Sequence, residues 1–359
     1  MCQSNYLEIS RHALRRNAAA VCRAVEVPVI GVVKCDGYGV TIPEAAAAWA
    51  DAGVTMFAVS RPEEALTLRQ FGFREDILLM SPVVEEETLA KMIGANVILT
   101  VTGVENALFY SESTGRYPIR VHVAVDTGMG RFGIRWTDAE QLVWLYSLAG
   151  FSFEGIFSHF SRSFEPEYSH TGLQLRRFLS AVSALEEAGY SPGIRHIANS
   201  CAALRFPETR LDAVRLGSAL VGKLQYPSPV MLERARVCKA QVVDIKFFRP
   251  GDTTGYGSYC RLRHSAKAVV VALGRQDGFG LTTLPDRLRL RDLAAYGLRM
   301  LKAWRSPPCV VFQGQIMPVL GRIGNQYTLF DATGVDVHFG DWVEWEGNLM
   351  LASCERRFV

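Results

Sequence analysis

The chain has 359 residues, of which 49% are hydrophobic and 21% are charged, so it has enough apolar material for two packed domains. Its 39 basic and 36 acidic residues are scattered without long runs of one sign, which argues against a nucleic-acid or membrane surface and favours a small-molecule partner. The eight cysteines form no CxxC pair, which argues against a zinc site or a secreted disulfide framework. We expect no bound metal for the same reason. The N-terminal residues contain no apolar signal segment, so we expect a cytoplasmic protein.

Short apolar strands alternate with amphipathic helical stretches from residue 27 to about residue 222, a pattern typical of parallel βα units. Eight strands are predicted, and they begin near residues 27, 56, 76, 96, 120, 153, 194 and 212. Helices are predicted between several of them, at residues 42–53, 61–72, 85–95, 138–150 and 175–190. Eight such units favour an α/β fold with a (β/α)8 TIM-type barrel, which we place at residues 1–225.

After Gly222 the sequence changes to β-branched runs that are separated by Pro and Gly turns. This pattern predicts a second, mainly antiparallel β domain at residues 226–359. One amphipathic stretch at residues 291–304 interrupts the β pattern, and we interpret it as a helical insertion that covers a sheet edge.

Polar residues stand at the predicted carboxyl ends of the barrel strands, where barrel enzymes have their active sites. Lys34 ends the first strand in VIGVVKCDGYG, and burial there would make its amine a nucleophile or a base. Arg131, His159, Ser200 and Arg215 follow or end other strands. This set suits a phosphate-bearing aldehyde cofactor such as pyridoxal phosphate. Composition alone leaves a simple phosphorylated substrate open.

The stretch VVKCDGYG resembles the cofactor-lysine motif of the alanine racemases. The resemblance continues in the family's order through VDTGMGRFGI, FSHF, HIANSCAALRFPE, AVRLGSALVG, PGDTTGYG, VLGRIG and FDATG, and it covers nearly the whole chain. It implies a barrel followed by a β domain, pyridoxal 5'-phosphate as cofactor, and racemisation of a small amino acid such as alanine. It also implies a homodimer whose active sites are shared between the subunits.

The resemblance assigns a role to each matching residue. Lys34 forms the Schiff base with the cofactor and acts as one of two catalytic bases, and Tyr256 of the partner subunit is the second base. Arg215 faces the pyridine nitrogen, His159 connects Arg215 with the tyrosine, and Arg131 lies near the substrate carboxylate. Since a guanidinium does not readily release a proton, the ring nitrogen stays unprotonated. The residues implied to hold the phosphate are Tyr38, Ser200, Gly217 and Ser218.

The sequence departs from the family pattern near the substrate. Ala124 stands where the family often has a lysine, Arg275 replaces an aromatic residue at the entrance, and Cys354 replaces a tyrosine that often contacts the phosphate. Asn325 and Gln326 replace a Met-Asp pair of the substrate corridor. These changes predict a more open and less acidic pocket, in which a carboxamide at Asn325 makes serine a plausible substrate beside alanine.

Two other functions stay open on the sequence. A barrel-type decarboxylase shares the strand-end lysine, but it normally carries an acidic partner to the ring nitrogen, where this chain has Arg215. A non-catalytic carrier of pyridoxal phosphate needs no second base, so the presence of Tyr256 disfavours it. The sequence leaves open the substrate's side chain, the physiological direction and the pathway.

Overall fold

The structure is a computed structural model, and it describes residues 4–113, 117–224, 226, 230–281, 297–298, 301, 307–347 and 354–359. The chain divides into two compact units: a barrel unit, Arg11–Ala235, and a β unit that combines Met1–Ser10 with Arg236–Val359. The prediction had assigned the N-terminal residues to the barrel. They belong to the β unit because the first strand, β1 (Asn5–Ile9), pairs with strands near both ends of that unit's sequence.

Parallel strands form the wall of the barrel unit. The strands of this unit are β2 (Val29–Val32), β3 (Met56–Val59), β4 (Asp76–Leu79), β5 (Leu99–Val101), β6 (Ile119–Asp126), β7 (Ile134–Arg135), β8 (Phe151–Phe157), β9 (Ile194–His196) and β10 (Val214–Leu216). They form two parallel sheets, in the orders β10-β2-β3-β4 and β5-β6-β8-β9, and the short β7 pairs at the end of β6. Parallel bridges between Leu78 and Ile98 and between His196 and Ala213 join the two sheets. The eight strands therefore close into a ring, which confirms the predicted (β/α)8 barrel.

Helices connect the strands on the outside of this ring. They are α1 (Arg11–Val25), α3 (Ile42–Ala50), α4 (Pro62–Gln70), α5 (Glu86–Gly94), α6 (Val104–Ser111), α7 (Ala139–Tyr146), α8 (Ser169–Glu187) and α9 (Ser200–Arg205). The short segment α2 (Lys34–Tyr38) follows β2 and is a left-handed turn, not a regular helix. The five predicted helices correspond to α3, α4, α5, α7 and α8, while α1, α6 and α9 were not predicted. Among the residues that the structure describes, no helix is both long enough and apolar enough to cross a membrane.

Side chains from five of the strands or their flanks form a buried cluster in the barrel interior. The buried members of this cluster are Ile30, Val32, Met56, Ala58, Leu78, Ile98 and Ala213. Each large apolar side chain that is fully buried stabilises the fold by about 1.5–3 kcal/mol. Tyr38 and Met80 pack against the cluster. Met80 directly follows β4 and Tyr38 ends the turn after β2, so the cluster lies beneath the carboxyl ends of these strands.

The β unit is built from antiparallel strands with one parallel pair. Its strands after β1 are β11 (Arg236–Phe248), β12 (Thr253–Thr254), β13 (Cys260–Arg261), β14 (Ala266–Val271), β15 (Cys309–Phe312), β16 (Gln315–Pro318), β17 (Thr328–Asp331), β18 (Trp342–Trp345) and β19 (Glu355–Phe358). Strand β1 lies between β11, to which it is antiparallel, and β19, to which it is parallel. The predicted mainly antiparallel β domain is confirmed. Residues 348–353 of the predicted β domain and nearly all of the predicted helix at 291–304 lie outside the described residues.

Candidate active site

The chain makes a left-handed turn directly after Lys34. The φ angles of Cys35, Asp36, Gly37 and Tyr38 are 54°, 52°, 63° and 57°. A left-handed conformation costs about 1–2 kcal/mol for each residue other than glycine, so the turn stores strain that the surrounding structure must offset. Strain of this kind concentrates at functional sites, where it fixes a side chain in one position. Here it fixes the start of the turn, Lys34, at the carboxyl end of β2.

Hydrogen bonds from helix α4 hold the strained turn. The carboxylate of Glu64 accepts hydrogen bonds from the backbone N–H of Cys35 at 2.8 Å and from that of Ser60 at 2.9 Å. On the other side of the turn, the Asp36 carboxylate accepts one from the N–H of Ile42 at 3.1 Å. Sequence reasoning missed Glu64. The only sequence signal is an acidic residue in the first turn of a helix that begins with proline, and this pattern is common.

The Lys34 amine lies in an environment that favours its neutral form. Burial lowers the pKa of Lys34, and the positive charges of Arg131 and Arg215 lower it further, while Glu64 opposes them. The side chain is half-buried, so it remains accessible to a ligand. A neutral amine is the form that attacks an aldehyde or removes a proton.

Arg215 is buried at the centre of β10 and donates every hydrogen bond it makes. One terminal nitrogen donates to the His196 carbonyl at 2.9 Å and to its ring Nδ1 at 2.7 Å. The other donates to the Ser158 carbonyl at 2.5 Å and to His159 Nδ1 at 3.2 Å. Burial and the neighbouring Arg131 lower the pKa of Arg215 to about 9, so the guanidinium is still protonated at neutral pH.

Two buried histidines continue the hydrogen bonds of Arg215 through the barrel interior. Because the guanidinium can only donate, His196 accepts at Nδ1 and must carry its proton on Nε2. That nitrogen donates to His122 Nδ1 at 2.9 Å, which leaves the His122 proton on Nε2. Burial lowers the pKa of His122 to about 3 and that of His196 well below its ordinary value, so both rings are neutral. Gly155 makes room for this chain, since a Cβ there would lie 2.7 Å from the His122 ring.

His159 is also neutral at the mouth of the barrel. Burial lowers its pKa to about 3, and Arg215, Lys34 and Arg131 contribute to the shift through their positive charges. Since its Nδ1 accepts the hydrogen bond from Arg215, the ring carries its proton on Nε2. This nitrogen is therefore a donor for a further partner.

The residues predicted to hold a phosphate come together at the ends of β2, β9 and β10. The Ser200 hydroxyl, at the start of α9, accepts the backbone N–H groups of Gly217 and Ala219, each at 3.3 Å. A Cβ on Gly217 would lie 2.4 Å from the Tyr38 ring, so only glycine permits this approach. Ser218 follows directly and is half-buried. Burial raises the pKa of the Tyr38 phenol, which keeps it a hydrogen-bond donor at neutral pH.

Arg131 is exposed and stands at the end of a loop that Asp126 organises. One carboxylate oxygen of Asp126 accepts the N–H groups of Gly128, Met129 and Gly130 at 2.9, 2.9 and 3.0 Å. The charge of Arg131 reaches the other mouth residues, since it lowers the pKa of Lys34, His159 and Arg215. Ala124, which stands where the family often has a lysine, is buried. A Cβ on Gly133 would lie 2.8 Å from the Ala124 carbonyl.

The remaining predicted residues belong to the β unit. Asn325 and Gln326 are exposed, and backbone hydrogen bonds link their segment to the loop that carries Arg275. Tyr256 begins a short 3-10 turn, Tyr256–Ser258, of which the backbone is described. The structure thus brings Lys34, Tyr38, Arg131, His159, Ser200, Arg215, Gly217 and Ser218 together at the barrel mouth, and places Tyr256, Asn325 and Gln326 in the other unit.

The closed parallel barrel carries two arginines and a lysine with a lowered pKa at its mouth. These features define a barrel enzyme in which the lysine amine is the reactive group. A sequence profile described as "Alanine racemase, N-terminal domain" matches residues 9–225. The alanine racemase of Desulfosudis oleivorans is 31% identical over 95% of this chain and 86% of its own length. That of Symbiobacterium thermophilum is 33% identical over 92% and 88%.

Solved structures support the same assignment. The alanine racemase of Clostridium difficile 630 superposes with a TM-score of 0.85 at 25% identity, covering 100% of this chain and 96% of its own. The enzyme of Streptomyces coelicolor A3(2) also gives a TM-score of 0.85 at 25% identity, over 99% and 98%. The chain belongs to the alanine racemase family and is an amino-acid racemase, as the motifs predicted.

Proposed function

We propose that the protein is a pyridoxal-phosphate-dependent racemase that interconverts L- and D-alanine, with serine as a second candidate substrate. The observation that carries the proposal is the Lys34 amine at the mouth of the barrel. Burial and two arginines lower its pKa, and a strained turn fixes its position. The family relationship supports alanine as the substrate.

The residues at the mouth fit pyridoxal phosphate in three respects. The amine of Lys34, shifted toward its neutral form, suits a bond to the cofactor's aldehyde. The close approach of Gly217 to Tyr38, with the Ser200 hydroxyl nearby, provides the small backbone cradle and the hydroxyls that a phosphate needs. Buried Arg215 is a fixed cation that would face the pyridine nitrogen. When bound, pyridoxal phosphate supplies an electron sink that stabilises negative charge at the substrate's α-carbon.

In this proposal Arg215 faces the ring nitrogen as a donor. The described residues give it carbonyl and imidazole partners and no carboxylate, so nothing draws its proton away. An arginine at this place withholds a proton from the ring nitrogen and thereby limits how far negative charge spreads into the ring. This arrangement supports racemisation over decarboxylases of the barrel type, which use an acidic partner.

Racemisation requires a proton to leave one face of the α-carbon and a proton to arrive on the other. We assign the base on one face to Lys34 and the base on the other to Tyr256 of the partner subunit, so the active enzyme is a homodimer. His159 carries a proton on Nε2 and has Arg215 behind it. We propose that it donates to the phenolic oxygen of the tyrosine and stabilises the phenolate. Arg131 binds the substrate carboxylate.

Solvent-deuterium exchange at the α-carbon tests the proposal. The full-length protein with added pyridoxal phosphate is incubated in D2O with L- and D-alanine and with L- and D-serine, and the α-proton is followed by NMR. We expect exchange of alanine together with appearance of its enantiomer. A Lys34→Ala variant should lose both, and a Tyr256→Phe variant should lose racemisation while it retains the cofactor's absorbance band.

The outcomes separate the competing functions. Release of carbon dioxide without the enantiomer would favour a decarboxylase, and cofactor binding without exchange would favour a carrier. Equal turnover of serine by the wild-type enzyme and by an Asn325→Met variant would count against a role of Asn325 in serine recognition.

A further inference from the structure

Two neighbouring loops at the barrel mouth carry residues of the proposed active site. The loop after β6 begins at Thr127 and carries Arg131, and the loop after β8 begins at Ser158 and carries His159. Strands β6 and β8 pair in parallel, so the two loops start side by side. The hydroxyl oxygens of Thr127 and Ser158 lie 2.9 Å apart, and both residues are buried.

Gln174 of helix α8 makes hydrogen bonds to both of these loops. Its side-chain nitrogen donates to the Thr127 hydroxyl and to the His159 carbonyl, each at 3.1 Å. Its side-chain oxygen accepts from the backbone N–H of Ser161 at 3.0 Å and from the Ser161 hydroxyl at 3.1 Å. The residue is fully buried, and these partners use both donors and both acceptor positions of the amide.

The backbone partners fix the orientation of the Gln174 amide. The Ser161 N–H can only donate, so the atom that faces it is the amide oxygen. The His159 carbonyl can only accept, so the atom that faces it is the amide nitrogen. Turning the amide over would leave buried groups without partners, which is costly. The side chain therefore holds the two loops in one arrangement.

A second residue of α8 fixes the start of the loop that carries Arg131. Arg177 follows Gln174 by about one helical turn and donates to the Thr127 carbonyl at 3.0 Å. Its guanidinium carbon lies 5.3 Å from the centroid of the Trp136 ring. Helix α8 thus contacts Thr127 at both its hydroxyl and its carbonyl, directly before the loop that leads to Arg131.

We propose that Gln174 is a positioning residue of the racemase, which fixes the spacing between His159 and the loop that carries Arg131. The inference rests on the proposed function, in which His159 donates to the tyrosine and Arg131 binds the substrate carboxylate. Gln174 contacts the His159 backbone and Thr127, so it acts through the positions of the two loops. Misplacing a reacting group by about 1 Å can cost roughly 100-fold in rate, so one buried amide is enough to control activity.

Two substitutions test the two ends of the amide. Gln174→Met removes all the hydrogen bonds at similar size, and kcat/KM for alanine should fall by roughly 10- to 100-fold. We expect KM to rise because the Arg131 loop shifts, and kcat to fall because His159 shifts. Gln174→Glu still accepts from Ser161, but it donates only when it is protonated. Burial raises the pKa of a carboxyl group, so its activity relative to wild type should recover as the pH is lowered, unlike that of Gln174→Met.

Thr171→Val is the matched control. Thr171 is buried about one turn before Gln174 on α8, and its hydroxyl has no hydrogen-bond partner among the described residues, so we expect wild-type kinetics. Amide hydrogen exchange gives a readout that does not depend on activity. In Gln174→Met the Ser161 N–H should exchange faster, and so should those of Gly128 and Met129, which bond to Asp126 and not to Gln174. The control should leave all of them unchanged.

Wild-type kcat and KM in Gln174→Met would overturn the proposal, and so would an equal loss of activity in Thr171→Val. Faster exchange with unchanged kinetics would also overturn it, because Gln174 would then be a structural residue only. A wild-type protein that does not racemise alanine would refute the proposed function instead. Faster exchange at Gly128 and Met129 in Gln174→Met would still support the coupling of the two loops, so the two failures are distinguishable.

Discussion

Substituting Gly217 by alanine tests whether the contact with Tyr38 shapes the predicted phosphate site. The new methyl carbon would lie 2.4 to 2.6 Å from three atoms of the Tyr38 ring, including the hydroxyl oxygen. The ring cannot move freely, because it packs against the barrel core and its backbone belongs to the left-handed turn. Overpacking of this kind costs about 1–3 kcal/mol. If the strain falls on the bound state, the cofactor's Kd rises by roughly 5- to 150-fold.

The assay is an absorbance titration of the apoprotein with pyridoxal phosphate, accompanied by urea unfolding. Gly94→Ala is the matched control, since a Cβ on Gly94 meets nothing within 4 Å, and we expect it to leave Kd unchanged. Combining Gly217→Ala with Tyr38→Ala removes the clash, so the double variant should bind no worse than Tyr38→Ala alone. A Gly217→Ala protein with wild-type Kd and wild-type unfolding midpoint would refute the reasoning.

Three further results are expected. His122, His159 and His196 have native pKa values below the unfolded value of 6.5, so the unfolded chain binds more protons below that pH and the free energy of unfolding should fall between pH 7 and pH 5, with His122 contributing about 2 kcal/mol of the fall. Urea unfolding at both pH values checks this, and a His122→Gln variant should show a fall that is smaller by about the His122 contribution. Gly155→Ala places a methyl 2.7 Å from the His122 ring and should lower the free energy of unfolding by about 1–3 kcal/mol; an unchanged urea midpoint would contradict it. Asp126→Ala leaves three loop N–H groups without their acceptor and should reduce kcat/KM for alanine by roughly tenfold, whereas Asp126→Asn keeps an acceptor and should fall less.

The sequence was informative wherever local patterns decide the structure. All eight barrel strands were predicted, because each is a short apolar run followed by a helical stretch or a turn. Strand β11 lies within the predicted β domain, and buried and partly exposed residues alternate along its first eight residues. The positions of Lys34, His159 and Arg215 at strand ends followed from the same pattern, since parallel strands bring their carboxyl ends to one side.

Features that depend on distant parts of the chain were not predicted. Strand β1 joins the β unit by pairing Asn5 with Ala240, and a five-residue run carries no signal for a partner so far along the sequence. The left-handed turn was missed because Cys35 and Asp36 do not ordinarily adopt positive φ, and the tertiary contact with Glu64 is what holds them there.

The hydrogen bonds from Arg215 through His196 to His122 show why the sequence alone did not single out these two histidines. Arg215, His196 and His122 come from β10, β9 and β6. Their side chains meet only because the strand register turns all three into the barrel. A bulge between β6 and β8, with Gly155 facing His122, supplies the space. The hydrogen-bond partners of Arg215 that the structure describes are all neutral, so they do not compensate its positive charge.

The same lack of compensation predicts that the barrel mouth favours anionic ligands. Arg215 and Arg131 are positive there, Lys34 carries a further charge whenever it is protonated, and His159 is neutral. Glu64 is the one carboxylate among the groups that shift the pKa of Lys34, and it already accepts hydrogen bonds from backbone N–H groups. Bringing like charges this close is unfavourable until anions neutralise them. In the proposed function a phosphate and a substrate carboxylate would meet that need together, so the electrostatics that lower the pKa of the lysine amine would also favour binding of these two anions beside it.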